Sequence, residues 1–88
     1  MTDYNPRVQQ AVLEIVDNQL RAGDPPQTRA TFNRLVAKGC SAREAKKLIA
    51  AAVVVEIFDV MKHGKGFDRD RFIRNLDRLP ELPLAEEG

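Results

Sequence analysis

Residues 41–64 read SAREAKKLIAAAVVVEIFDVMKHG, and this stretch decides the fold. It opens with Ser41-Ala42-Arg43-Glu44, the spacing of a capping box. The Ser41 hydroxyl can accept from the Glu44 N–H, and the Glu44 carboxylate can accept from the Ser41 N–H. It closes on Gly64, a residue free to take the left-handed conformation that ends a helix. Between these signals nothing breaks a helix, so the spacing predicts one over 42–63. Leu48 to Met61 is apolar on nearly every side, interrupted only by Glu56 and Asp59. Such a helix must be covered on most faces. It is expected to be either the central helix of a bundle or part of an interface with a second copy, with Val54 and Ile57 in the core.

The flanking sequence supplies the cover. Asn5-Pro6 is a start signal, Asn as cap and Pro at the first helical position, where no N–H is needed. Val8, Val12, Ile15, Val16 and Leu20 then recur at helical spacing, and Gly23 follows. A helix over 6–22 is expected. Asp24-Pro25 starts the next, over 25–38, with Gln27 placed to reach back as in a capping box and Phe32, Leu35 and Val36 as the inward side. Asp68 caps the last, over 69–79. There Phe67 and Phe72 have the spacing of a hydrophobic staple, and Phe72, Ile73, Leu76 and Leu79 form the stripe. Asp70 and Arg74 sit at i,i+4 spacing suited to an ion pair. Pro80 ends that helix. The expected fold is therefore an all-α, four-helix bundle-like single domain over 1–80, followed by an acidic, disordered tail at 81–88.

Composition bounds the function. The chain has 88 residues, 43% of them apolar and 31% charged, with net charge +1, which suits one globular domain. Its single cysteine, Cys40, rules out an internal disulfide or a cysteine-only zinc site and fits a reducing compartment. No signal-like run opens the sequence, and the apolar run at 48–55 is too short to span a bilayer. A cytoplasmic protein with no membrane partner is expected.

Three groups of residues could carry chemistry. Cys40 precedes a helix start, which favours a thiolate, but the only histidine, His63, is at the far end of that helix. A small residue in a turn is the expected role. Glu56, Asp59 and His63 lie within about 60° of one another around the helix. Two carboxylates and an imidazole could hold a divalent metal, whereas ordinary solvated charges account for the same pattern. Finally, residues 27–51 carry six basic side chains against one acid. Arg43, Lys46 and Lys47 stand at the start of the second of two helices joined by a short glycine turn, as in a helix-turn-helix. Base readout needs polar side chains over two or three turns, and the helix turns apolar after Lys47. Specific nucleic-acid binding is not expected.

Taken in order, Asn5-Pro6, Asn18-Gln19-Leu20, Asp24-Pro25-Pro26, Arg34-Leu35, Gly39, Glu44-Ala45, Phe67-Asp68 and Leu79-Pro80 resemble a family of short bacterial proteins, a domain of unknown function. The resemblance covers residues 5–80 and implies a small helical bundle in a bacterial cytosol, with no known activity. Members of that family carry His near the first helix and a His-Glu-x-x-His stretch at the start of the third, a pattern able to bind metal. This chain has Gln9 and Leu13 in the first helix, and Arg43-Glu44-Ala45-Lys46-Lys47 in the third. A metal route through those positions is therefore not implied here. The expected function is a non-enzymatic interaction domain with no cofactor and an unidentified protein partner, or a second copy paired through the third helix. A helix-turn-helix domain built on the second and third helices is the alternative. A metal-binding or enzymatic domain with a degenerate ligand set is the second.

Overall fold

The computed structural model describes residues 6–64 and 66–82. The Asn5 cap and all of the acidic tail beyond Leu82 lie outside them. The described residues form four α-helices and no strand: α1 Pro6–Ala22, α2 Pro26–Ala37, α3 Ala42–His63 and α4 Arg69–Arg78. α3 is the centre. It packs against α1, α2 and α4, while α2 also touches α1 and α4, and α1 and α4 do not meet.

The local signals act as the sequence implies. Ser41 accepts from Glu44 N at 3.0 Å and Glu44 Oε1 accepts from Ser41 N at 2.9 Å, completing the capping box. Gly64 has φ +69 and donates its N–H to Val60 O, closing α3. Asp68 caps α4 by accepting from Arg71 N at 3.0 Å. The Phe67 and Phe72 rings meet edge to face with centroids 5.2 Å apart, so the staple forms.

The start of α2 differs. Pro25 rather than Asp24 is its N-cap, and no side chain caps it. The Gln27 Oε1 atom is buried and makes no hydrogen bond. The expected ion pair of Asp70 and Arg74 does not form, and both side chains are exposed.

The core is Val12, Val16 and Leu20 of α1, Leu35 of α2, Ala45, Ile49, Ala52 and Val53 of α3, and Phe72, Leu76 and Leu79 at α4. α2 is rotated from its expected setting. Its buried residues are Thr28, Thr31 and Leu35, while Phe32 is half-buried and Val36 exposed. Thr28 can be buried because its hydroxyl donates to Gln19 Oε1 of α1 at 2.9 Å, which offsets the cost of taking it out of water. Phe32 instead lies under the Arg29 guanidinium, 5.5 Å from its ring centroid. α3 is rotated as well: Val53 is fully buried, whereas Val54 and Ile57 are only half-buried.

Candidate functional site

Two features stand out beyond the core: a buried charge network joining α3 to α4, and an open apolar face on α3.

The network starts at Glu56, whose side chain is completely buried. Its Oε1 accepts from Asp68 N at 2.9 Å and from an Arg71 terminal nitrogen at 2.8 Å, and its Oε2 accepts from Arg71 Nε at 2.6 Å. The planar guanidinium thus grips the carboxylate with two bonds. Arg71 also reaches Asp59 Oδ2 at 3.1 Å, and Asp59 Oδ1 meets His63 Nδ1 at 2.8 Å. Glu56 and Asp59 together hold Arg71 above its usual pKa. The three candidate metal ligands therefore do converge, with Arg71 seated between two of them. Both Glu56 oxygens are committed to N–H donors, so a cation would have to displace a guanidinium that already pairs with both carboxylates. Among the described residues no group of three or more His, Cys, Asp or Glu side chains is arranged to hold a metal ion. Protein purified without chelator is expected to carry no stoichiometric zinc, iron or manganese on elemental analysis. A one-to-one content abolished by His63→Ala would reverse this.

What the network does is structural. It pins the first turn of α4 to the C-terminal half of α3. The hydrogen bond to His63, and next the one to Arg71, hold the Asp59 carboxyl below its usual value of 3.8. A depressed carboxylate contributes stability that is present above its ordinary pKa and lost as pH falls through its folded value. Melting temperature is therefore expected to drop as pH goes from about 5 towards about 2.5, with a shallower drop in Asp59→Asn. Equal slopes for the two proteins in thermal melts would mean that Asp59 takes no part.

The basic stretch is partly consumed by the fold. Arg34 donates to Leu79 O at 2.7 Å and Leu76 O at 2.9 Å, satisfying carbonyls at the end of α4. Lys46 pairs with Asp17 of α1 at 2.8 Å. Arg43 and Lys47 remain exposed. Only two of the three candidate nucleic-acid contacts are thus available, both in the first two turns of α3. These cations suit phosphates, which confer affinity without sequence preference. In fluorescence-anisotropy titrations, any duplex binding should be non-specific and fade between about 50 and 200 mM salt. Sub-micromolar binding to one sequence at the higher salt, lost in Arg43→Ala/Lys47→Ala, would contradict this.

Cys40 is half-buried against the core at the α2–α3 turn. His63 is at the opposite end of α3, about 30 Å away at 1.5 Å per residue, so the two do not form a nucleophile–base pair.

The open face lies on the side of α3 away from α2 and α4. A groove of about 510 Å³ runs between Val8, Gln9, Val12 and Leu13 of α1 and Lys47, Ala50, Ala51, Val54, Val55 and Phe58 of α3. Phe58 is 58% exposed at its rim, and Met61, one turn on, is 77% exposed. Val8 completes the patch at 53%. Val8 belongs to the apolar stripe of α1 but lies outside the core, at the edge of the groove, a place that spacing alone does not reveal. For the groove the signal was there in the all-round apolarity of α3, but not the side left uncovered.

Comparison with family models, curated proteins and solved structures found no match to this chain. No helix among the described residues is long and apolar enough to cross a membrane.

Proposed function

We propose that this chain is a small, non-enzymatic interaction domain that docks a protein surface on the open face of α3 and the adjoining α1–α3 groove. One observation carries the reading: Phe58, a large apolar side chain, stands in water on the rim of a groove whose lining is apolar except for Gln9 and Lys47, and Met61, one turn further along α3, is more exposed still. Leaving such a patch wet forgoes burial worth roughly 25 cal/mol per Å², and contiguous apolar patches on a small domain mark contact sites. The groove fits binding better than catalysis. Its one ionisable group is Lys47, with no acid or base opposite it, while Glu56 and Asp59 are spent on Arg71. Large apolar anchors at the centre of a patch are also what concentrates binding energy at protein interfaces.

The test is site-specific photo-crosslinking in an extract of the source cells. A photoreactive phenylalanine analogue at position 58 should give discrete adducts. The same group at Arg29, on α2, should give none. Equal background labelling at both positions would remove the reading.

A further inference from the structure

We infer that the occupant of this face is a second copy of the chain, paired through α3 in antiparallel fashion about a two-fold axis. The inference rests on the docking reading above and names its partner.

On the side of α3 opposite its buried residues, Lys47, Ala51, Val54, Phe58 and Met61 form one seam, at alternating spacings of four and three. That is the spacing with which helices pack side by side in two-stranded assemblies. The seam is graded in size along its length. Its N-terminal half is a floor, with Ala51 and Val54 half-buried beside the groove. Its C-terminal half is a ridge of exposed Phe58 and Met61. A two-fold pairing demands a patch that complements itself, residue i meeting j where j meets i. Antiparallel α3 helices with the axis level with Glu56, on the face opposite its side chain, satisfy this demand. Met61 of each copy then stands over Ala51 of the other, and Phe58 over Val54. Each layer joins one large and one small side chain. A parallel pairing would stack Phe58 on Phe58 and Ala51 on Ala51, crowding one end and leaving a void at the other.

The area also fits. From Lys47 to Lys62 the face runs about 22 Å along α3, and with α1 beside it about 20 Å across. Allowing for roughness, that is about 600 Å² per copy, a tenth of the 5966 Å² accessible surface of the chain. Two copies would bury about 1,200 Å², the lower end of the range for specific complexes. It is reached only if the α1 wall of the groove joins the seam. Lys47 and Lys62 border the patch, where their stems can cover its edge while the amines stay in water.

Sedimentation equilibrium of the full chain from about 5 to 500 µM, together with disulfide trapping, tests this pairing. The expected result is a reversible monomer–dimer equilibrium in that range. Phe58→Ser/Met61→Ser should shift it at least tenfold towards monomer; both positions are exposed, so the monomer should keep its helical spectrum. For trapping, Cys40→Ala is the background. Mixing Ala51→Cys chains with Met61→Cys chains under mild oxidation should give predominantly the mixed disulfide. In the antiparallel pair two copies of position 51, or two of position 61, are about 15 Å apart along the axis, beyond disulfide reach. A statistical mixture, or a predominance of like-with-like disulfides, would overturn the arrangement. A chain monomeric at 500 µM would overturn the second copy as occupant. If position 58 still crosslinked another protein in extract, docking itself would stand; a monomer that captured nothing would remove both.

Discussion

Arg71→Ala is expected to destabilise the domain by about 3 kcal/mol, because it leaves a completely buried Glu56 carboxylate without its counter-charge. The contribution is large because the cost falls on the partner left behind. Arg71 itself is 30% exposed and could return to water, but Glu56 cannot without pulling α3 from α4. Some water can follow where the guanidinium was, which places the figure at the low end of the range for broken buried pairs. For a domain of this size, 3 kcal/mol corresponds to a fall of about 12–24 °C in melting temperature. The discriminating variant is Arg71→Ala/Glu56→Gln. A glutamine carbonyl still accepts from Asp68 N–H, and the buried charge is gone, so more than half of the lost stability should return. Thermal melts of wild type, both single variants and the double variant give the coupling directly. Additive effects would show that Glu56 and Arg71 do not act as a pair.

Two neighbouring valines should behave very differently. Val53→Asp is expected to abolish folding, since Val53 is fully buried among Ile49, Ala52 and the facing helices, and an unpaired carboxylate there costs several kcal/mol. Val54→Asp should cost only about 1 kcal/mol, because its side chain lies half-buried at the groove and the new carboxylate can stay hydrated. From sequence alone Val54 was the residue expected in the core. Circular dichroism separates the two: a helical, cooperatively melting Val54→Asp beside an unfolded Val53→Asp is the expected pair of results. An unfolded Val54→Asp would place the inward side of α3 one residue further on.

The two valines also show where sequence reasoning stopped. In an amphipathic helix a polar face marks the outside, and the apolar stripe of α4 could be read in that way: Phe72, Leu76 and Leu79 are buried as expected, with Ile73 half-buried at the margin. Leu48 to Met61 offers no such contrast. Its only polar residues, Glu56 and Asp59, pointed the wrong way, because Glu56 is in fact on the buried side. The side chain that permits this, Arg71, is fifteen residues later on another helix. On α2 the signal was misleading for a related reason. Phe32 and Val36 have the look of core and Thr28 and Thr31 do not, yet the threonines are the buried ones, with Gln19 of α1 as the hydrogen-bond partner of Thr28.

The sequence by itself determined the four helices and nearly all of their ends. Capping boxes, staples and glycine stops act within a few residues of chain, and their geometry does not wait for tertiary contacts. It also required that α3 be covered on most sides, whether by the other helices or by a second copy, because a helix so apolar needs neighbours. Only the tertiary structure decided which side of α3 faces inward, how Glu56 could be buried, and where the open face lies. Those outcomes depend on how α1 and α4 sit around α3 without touching each other, leaving Phe58 and Met61 exposed beyond the half-buried Ala51 and Val54. Helix periodicity sets which side chains share a face, but the rotation of that face is fixed by packing volumes and by partners far away in sequence.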